Sequence, residues 1–169
     1  LIGQRECQLG LGLNISNIGS KISYGDDYSY FIPTNLRLGA SLLVPIDEYN
    51  RISFSADINK LLVPSMPLKL EGEEEADYQD RLKTDYYDVS SISGIFKSFG
   101  DSERGFKGEL EEIQWSVGAE YCYNDKFFLR AGYHHESEMQ GNRKYHAVGA
   151  GFRMNVLNVD AGYTNQTED

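Results

Sequence analysis

No apolar run in this chain reaches the eighteen or so residues that a membrane-spanning helix needs, so a helical span is excluded. The mean hydropathy is negative. Cysteine is scarce, with two in 169 residues. Cys7 and Cys122 lie far apart and outside any CxxC context, and no disulfide between them is expected. Basic residues are outnumbered, 16 against 26 acidic ones, for a formal net charge of −10. That balance argues against a nucleic-acid partner. There is no nucleophile elbow, Walker loop or HExxH. Serines are common, but none stands in a triad context. No EF-hand spacing points to calcium. His134 and His135 are adjacent, so on a strand they point opposite ways, and a metal shared with His146 is not expected. The sequence therefore predicts no enzyme, no metal and no cofactor.

What the chain does have is a two-residue rhythm, repeated in blocks of about ten. In Ile113–Tyr123 the odd positions are Ile113, Trp115, Val117, Ala119, Tyr121 and Tyr123, and the even ones are Gln114, Ser116, Gly118, Glu120 and Cys122. Successive side chains on a strand point to opposite faces, so one face is apolar and the other small or polar. Residues 8–15, 35–42, 52–59, 127–136, 146–153 and 157–164 alternate in the same way. A soluble antiparallel sheet also alternates. Here, however, the polar face carries charges and glycines, and the apolar faces end in aromatics. The pattern predicts an all-β, antiparallel transmembrane β-barrel with about seven strands in this chain. A soluble β-sandwich adhesin is the competing reading, and it would need its long edges covered.

The connections alternate in length. Residues 47–50, 124–125 and 155–157 read as tight turns, and residues 20–32, 65–110 and 137–142 as longer loops. Outer-membrane barrels pair short periplasmic turns with long extracellular loops. On that rule the first and last strands both run outward, leaving an odd strand number and an unclosed edge. Leu1 begins neither with an initiator Met nor with a signal peptide. The expectation is a piece of a larger barrel, with strands missing at both ends. Residues 1–169 then form part of one barrel domain, with residues 65–110 as a loop insertion. Tyr49, Tyr123 and Phe127 should form the girdle at the turn end, and Trp115, Tyr133 and Tyr163 the girdle at the other.

By parity Arg37, Asp57, Glu120, Arg130, Arg153 and Asp160 fall on the polar face. They can pair across strands and fill the lumen, or line a wet channel. Cys7 falls on the lipid side and Cys122 on the lumen side. The long loop holds an acidic run over residues 71–88, read as a solvated segment or as a docking patch for a cation or a partner. Beyond it, Ile92, Ile95, Phe96 and Phe99 are spaced as one face of a short helix over residues 90–99. A structured loop of this length is usually functional. That face, with Phe106 beyond it, is the candidate partner contact, or else it caps the barrel mouth.

Several motifs, in order, carry a family resemblance: LNISNIGSKISY at 13–24, FIPTNLRLG at 31–39, DINKLLVP at 57–64, GIFKSF at 94–99, GAEY at 118–121, LRAGY at 129–133 and GNRKY at 141–145. The chain resembles the PorV (LptO) family, outer-membrane barrels of the type IX secretion system related in fold to the FadL transporters. One stretch departs from the family pattern. Where the family continues Ser-Phe with Asp-Ala-Pro-Gly-Gly-Phe, this chain reads SFGDSERGF at 98–106. The resemblance implies the C-terminal half of a fourteen-stranded barrel in the cell outer membrane. It implies a non-enzymatic role: receiving cargo with a C-terminal signal domain from the translocon barrel and passing it to the surface attachment complex. The alternative is a FadL-like channel for hydrophobic solutes, which needs an apolar lumen pocket.

Overall fold

The computed structural model describes residues 6–25, 28–102 and 104–167. Asp26 and Asp27 of the first long loop, and Glu103 of the second, lie outside the described residues. In chain order the elements begin with β1 (Gln8–Ser16), a small hairpin of β2 (Ile22–Ser23) and β3 (Ser29–Tyr30), β4 (Asn35–Pro45) and β5 (Asn50–Leu61). Then come α1 (Glu75–Leu82), which runs into a π-helical turn at Lys83–Tyr87, α2 (Ser91–Lys97) and α3 (Gly105–Glu111). The chain returns as β6 (Ile113–Tyr123), β7 (Phe127–His135), β8 (Tyr145–Met154) and β9 (Leu157–Gln166). The seven long strands are the seven alternating blocks. They form one sheet in the order β1-β4-β5-β6-β7-β8-β9, a meander that is not closed.

Packing divides the chain into two units. One takes in Arg37–Asn59, Ile113 onward and the first strand up to Leu13. The other takes in Asn14–Leu36 and Lys60–Glu112.

In the first unit, tight turns set the register. Asn124 and Asp125 have φ of 52° and 55°, and the Lys126 amide donates to the Tyr123 carbonyl at 3.0 Å. Two successive left-handed residues make the hairpin turn whose twist matches the strands, and Asn and Asp tolerate that conformation. Asn155, with φ 47°, plays the same part between β8 and β9. At the remaining short turn, the Asp47 carboxylate accepts from the Tyr49 and Asn50 amides, both at 2.8 Å. Register then follows without a slip: Glu120 pairs with Arg130, Gly132 with Ala147, and Gly149 with Gly162.

Exposure along β6 repeats the sequence rhythm. Trp115, Val117, Ala119, Tyr121 and Tyr123 are exposed, while the even positions between them are half-buried or buried. Leu129, Val148, Val159 and Tyr163 continue the apolar face on the neighbouring strands. The interior is polar and the exterior apolar, the reverse of a water-soluble domain and the arrangement of an outer-membrane sheet. Aromatic rings cluster at the turn end, where Phe127 lies 4.8 Å from Phe152 and 6.4 Å from Tyr123. A second cluster forms at the far end, where Tyr133 lies 5.4 Å from Trp115 and 4.7 Å from His146. Phe127 and Tyr133 are separated along β7 by about 20 Å at roughly 3.3 Å per residue, which a strand tilt of about 40° reduces to about 15 Å of height, within a lipid-facing band of about 25 Å. Tyr163 pairs with Val148, and Val148 with Ala131, so Tyr163 lies nearer mid-sheet than Trp115 or Tyr133.

Candidate functional site

Four of the six charges expected on the polar face gather in one patch. Arg130 on β7 donates from Nε to Glu120 on β6 at 2.6 Å and from Nη1 to Asp160 on β9 at 2.5 Å. To reach Asp160 the guanidinium must cross β8. It crosses at Gly149 and Gly151; a Cβ at 151 would stand 3.2 Å from Arg130 Nη1. The Phe128 ring lies under two guanidinium groups, 5.2 Å from Arg130 and 5.1 Å from Arg153. Arg153 also donates to Asn158 at 3.1 Å. Phe128 pairs with Cys122; they are 6% and 1% exposed and close the polar face at the turn end. Arg37 and Asp57 stand apart from this patch, and neither makes an ion pair among the described residues. The six charges therefore do not form one network.

The same face carries a group that the sequence reading passed over. Glu136, directly after β7, is completely buried. It accepts from Gln114 at 2.7 Å and from Arg143 Nε at 2.6 Å and Nη2 at 3.0 Å. The Arg143 guanidinium holds its carboxyl below the usual range. Gly141, at φ +125°, lets the backbone pass close: a Cβ there would lie 3.1 Å from Glu136 Oε2. The signal was present, since Glu136 continues the even positions of its block and GNRKY follows. Lower on that face, Ser116 and His134 are 2.9 Å apart. His135 instead stacks on Trp115 at 5.2 Å, so the adjacent histidines do point apart.

In the second unit, the predicted helix forms as α2. Ser90 caps it, its hydroxyl accepting from the Ser93 amide at 3.2 Å. Its predicted apolar face is turned outward: Ile92, Phe96 and Phe99 are 68%, 73% and 53% exposed. Ile95 is half-buried, and Phe106 at the start of α3 is exposed. The buried side is the small one, Gly94 and Ser98. Phe31 and Pro64 approach so closely that a Cβ at 94 would meet them at 2.6 and 3.1 Å. A side chain of any size there would hold the helix off, so the bulky side is left outside. The acidic run forms α1, a solvated helix in which only Leu82 is buried. Arg81 pairs with Glu73 at 2.8 Å, and Lys69 with Glu75 at 2.6 Å.

Both ends of the long loop meet at a cluster absent from the sequence reading. The carboxylates of Asp101, Glu109 and Glu112 lie within 4.8 Å of one another. That spacing would suit a cation, and the Lys60 ammonium supplies one, 3.0 Å from Glu109 and 2.5 Å from Glu112. The Ser65 amide donates to Asp101 at 2.8 Å, the Ser65 hydroxyl to Glu112 at 3.2 Å, and the Ser102 amide to Glu109 at 3.0 Å. Burial pushes the Asp101 carboxyl up. Burial acts the same way on Glu109, but Lys60 and the Ser102 amide outweigh it and hold that carboxyl low.

Nearby, the β2–β3 hairpin joins an aromatic cluster: Tyr28 lies 4.3 Å from Tyr87, and Phe31 lies 5.3 Å from Tyr86. Lys21 donates to the Tyr87 carbonyl at 2.7 Å and sits 4.0 Å from the centre of the Phe31 ring.

Residues 4–68 match the family model of the type IX secretion system protein PorV. The matched stretch takes in β1, the β2–β3 hairpin, β4, β5 and the first residues of the long loop. It includes the first three PorV-like motifs read from the sequence. PorV is a component of a protein-secretion machine, and the strand-rich fold of this chain fits an outer-membrane protein of that machine. No curated protein matches the chain.

Proposed function

We propose that the chain is part of an outer-membrane barrel that takes cargo bearing a C-terminal signal domain from the type IX translocon barrel and passes it to the surface attachment complex, without catalysing a reaction. The observation that carries this reading is the outward apolar face of α2, on a loop joined to PorV-like strands. A loop that only connected two strands would have no use for Ile92, Phe96 and Phe99 in contact with solvent. The FadL-like alternative gains no support from the polar face, where Glu120, Arg130 and Asp160 stand in place of an apolar pocket. In lipid the free edges of β1 and β9 must be paired, with each other or with further strands.

The test is removal of residues 90–99 from the full-length protein in cells. Barrel insertion is read from heat-modifiable gel mobility, and cargo delivery from protease-accessible cargo on the cell surface. The expected result is normal insertion with reduced surface cargo. Normal delivery would overturn the proposal, and failed insertion would assign the loop a structural role instead.

A further inference from the structure

The stretch that leads into α2 carries carboxylates that make no ion pair among the described residues. Asp77, Asp80 and Asp85 are exposed on α1 and the turn that follows it. Most cations of this segment are engaged elsewhere, and Lys83, exposed in the turn, does not balance the three acids. Lys69 and Arg81 hold Glu75 and Glu73. Lys97, the only charged residue within α2, donates to the backbone carbonyl of Asp85 at 2.8 Å rather than to a carboxylate. That hydrogen bond ties the last turn of α2 to the turn that carries Asp85, at the end of the acidic stretch. A wholly apolar partner would leave these acids facing it unpaired, and an acidic partner would be repelled.

We infer that this surface binds a basic, amphipathic segment of a partner protein. Its apolar side chains cover Ile92, Phe96 and Phe99, and its lysines or arginines face Asp77, Asp80 and Asp85. The inference rests on the proposal that the loop contacts a partner, and adds the chemistry of that partner. Paired charges at such a rim steer encounter and select partners more than they add affinity, so binding should weaken as salt rises.

The test uses full-length protein in zwitterionic detergent and two synthetic amphipathic peptides. The peptides share one apolar face and carry lysine or glutamate on the other. The lysine peptide should bind and the glutamate peptide should not. The triple variant Asp77→Asn, Asp80→Asn, Asp85→Asn should weaken lysine-peptide binding about tenfold, the scale of three exposed pairs of a few tenths to one kcal/mol each. Phe96→Ser should weaken it as well. Equal binding of the two peptides, or binding unaffected by the triple variant, overturns the inference. Both variants are also measured for surface cargo in cells. If Phe96→Ser lowers delivery and the triple variant does not, the contact stands and its assigned chemistry is wrong. If neither lowers delivery, the proposed function fails with it.

Discussion

Replacing Lys60 with methionine keeps the stem of the side chain and removes its charge. The change leaves Asp101, Glu109 and Glu112 within 4.8 Å of one another with no ammonium between them. Lys60 is 10% exposed at its side chain, and its partners Glu109 and Glu112 are 15% and 17% exposed, so water screens the cluster poorly. Removing one partner from a buried pair costs about 3–5 kcal/mol, and the residual exposure here brings the expectation to about 2–3 kcal/mol. The loss should be local to the base of the loop. Hydrogen exchange on the full-length protein reads it directly. The Ser102 amide, bonded to Glu109, and the Glu112 amide, bonded to Gly108, should open at least about tenfold more often, since 1.4 kcal/mol is a factor of ten. The pH dependence gives the sharper check. In the parent protein Glu109 is held low by Lys60, so its contribution is present above the unfolded carboxyl range and fades as pH falls through its lowered value. In the variant the crowded carboxylates repel each other, so protonation relieves the strain. The variant's deficit should therefore be largest near neutral pH and shrink as pH falls towards about 4–5, the ordinary carboxyl range. Asp101, already raised by burial, acts in the variant's direction in both proteins and leaves the difference between them intact. A deficit independent of pH, or unchanged exchange at Ser102 and Glu112, would refute the reasoning.

Two further changes probe the sheet. Val117→Arg places a charge on the outward face near the middle of β6 and should cost about 2–4 kcal/mol in reversible unfolding from lipid vesicles, whereas a cost near zero would remove lipid from that face. Gly151→Val fills the lane that Arg130 uses to reach Asp160; the cost, read as a lowered thermal midpoint in detergent, should be about 1–3 kcal/mol, and an unchanged midpoint would mean the lane is not needed.

The strands were legible because lipid and lumen impose opposite demands on alternate side chains, and a one-residue slip would invert the whole strand. Ile113–Tyr123 appears in the structure with the limits read from the sequence. Parity also placed Cys122 and Arg130 on the inner face, but parity says nothing about distance along a neighbouring strand. That is why Arg37 and Asp57 could not be separated from the Glu120–Arg130–Asp160 patch until the register was known. The glycines at 149 and 151 were visible as small residues, while their use as a crossing point depends on which side chain lies on the adjacent strand.

The loop shows a different limit. Helical spacing groups Ile92, Ile95, Phe96 and Phe99 on one face, read from the sequence as a partner contact or a cap on the barrel mouth. What the spacing could not give is a contact distant in sequence: Phe31 and Pro64 crowd the backbone at Gly94, so the helix docks by the side that lacks side chains. The Lys60 cluster was hidden for a similar reason, because Lys60 and Glu112 are 52 residues apart and each looks like an ordinary surface charge by itself. Long-range contacts of these two kinds hold the loop by its small and charged residues, while Ile92, Phe96 and Phe99 stay exposed. An apolar face produced by packing the opposite side so tightly is a built feature of the loop, and its exposure is a reason to look for what covers it.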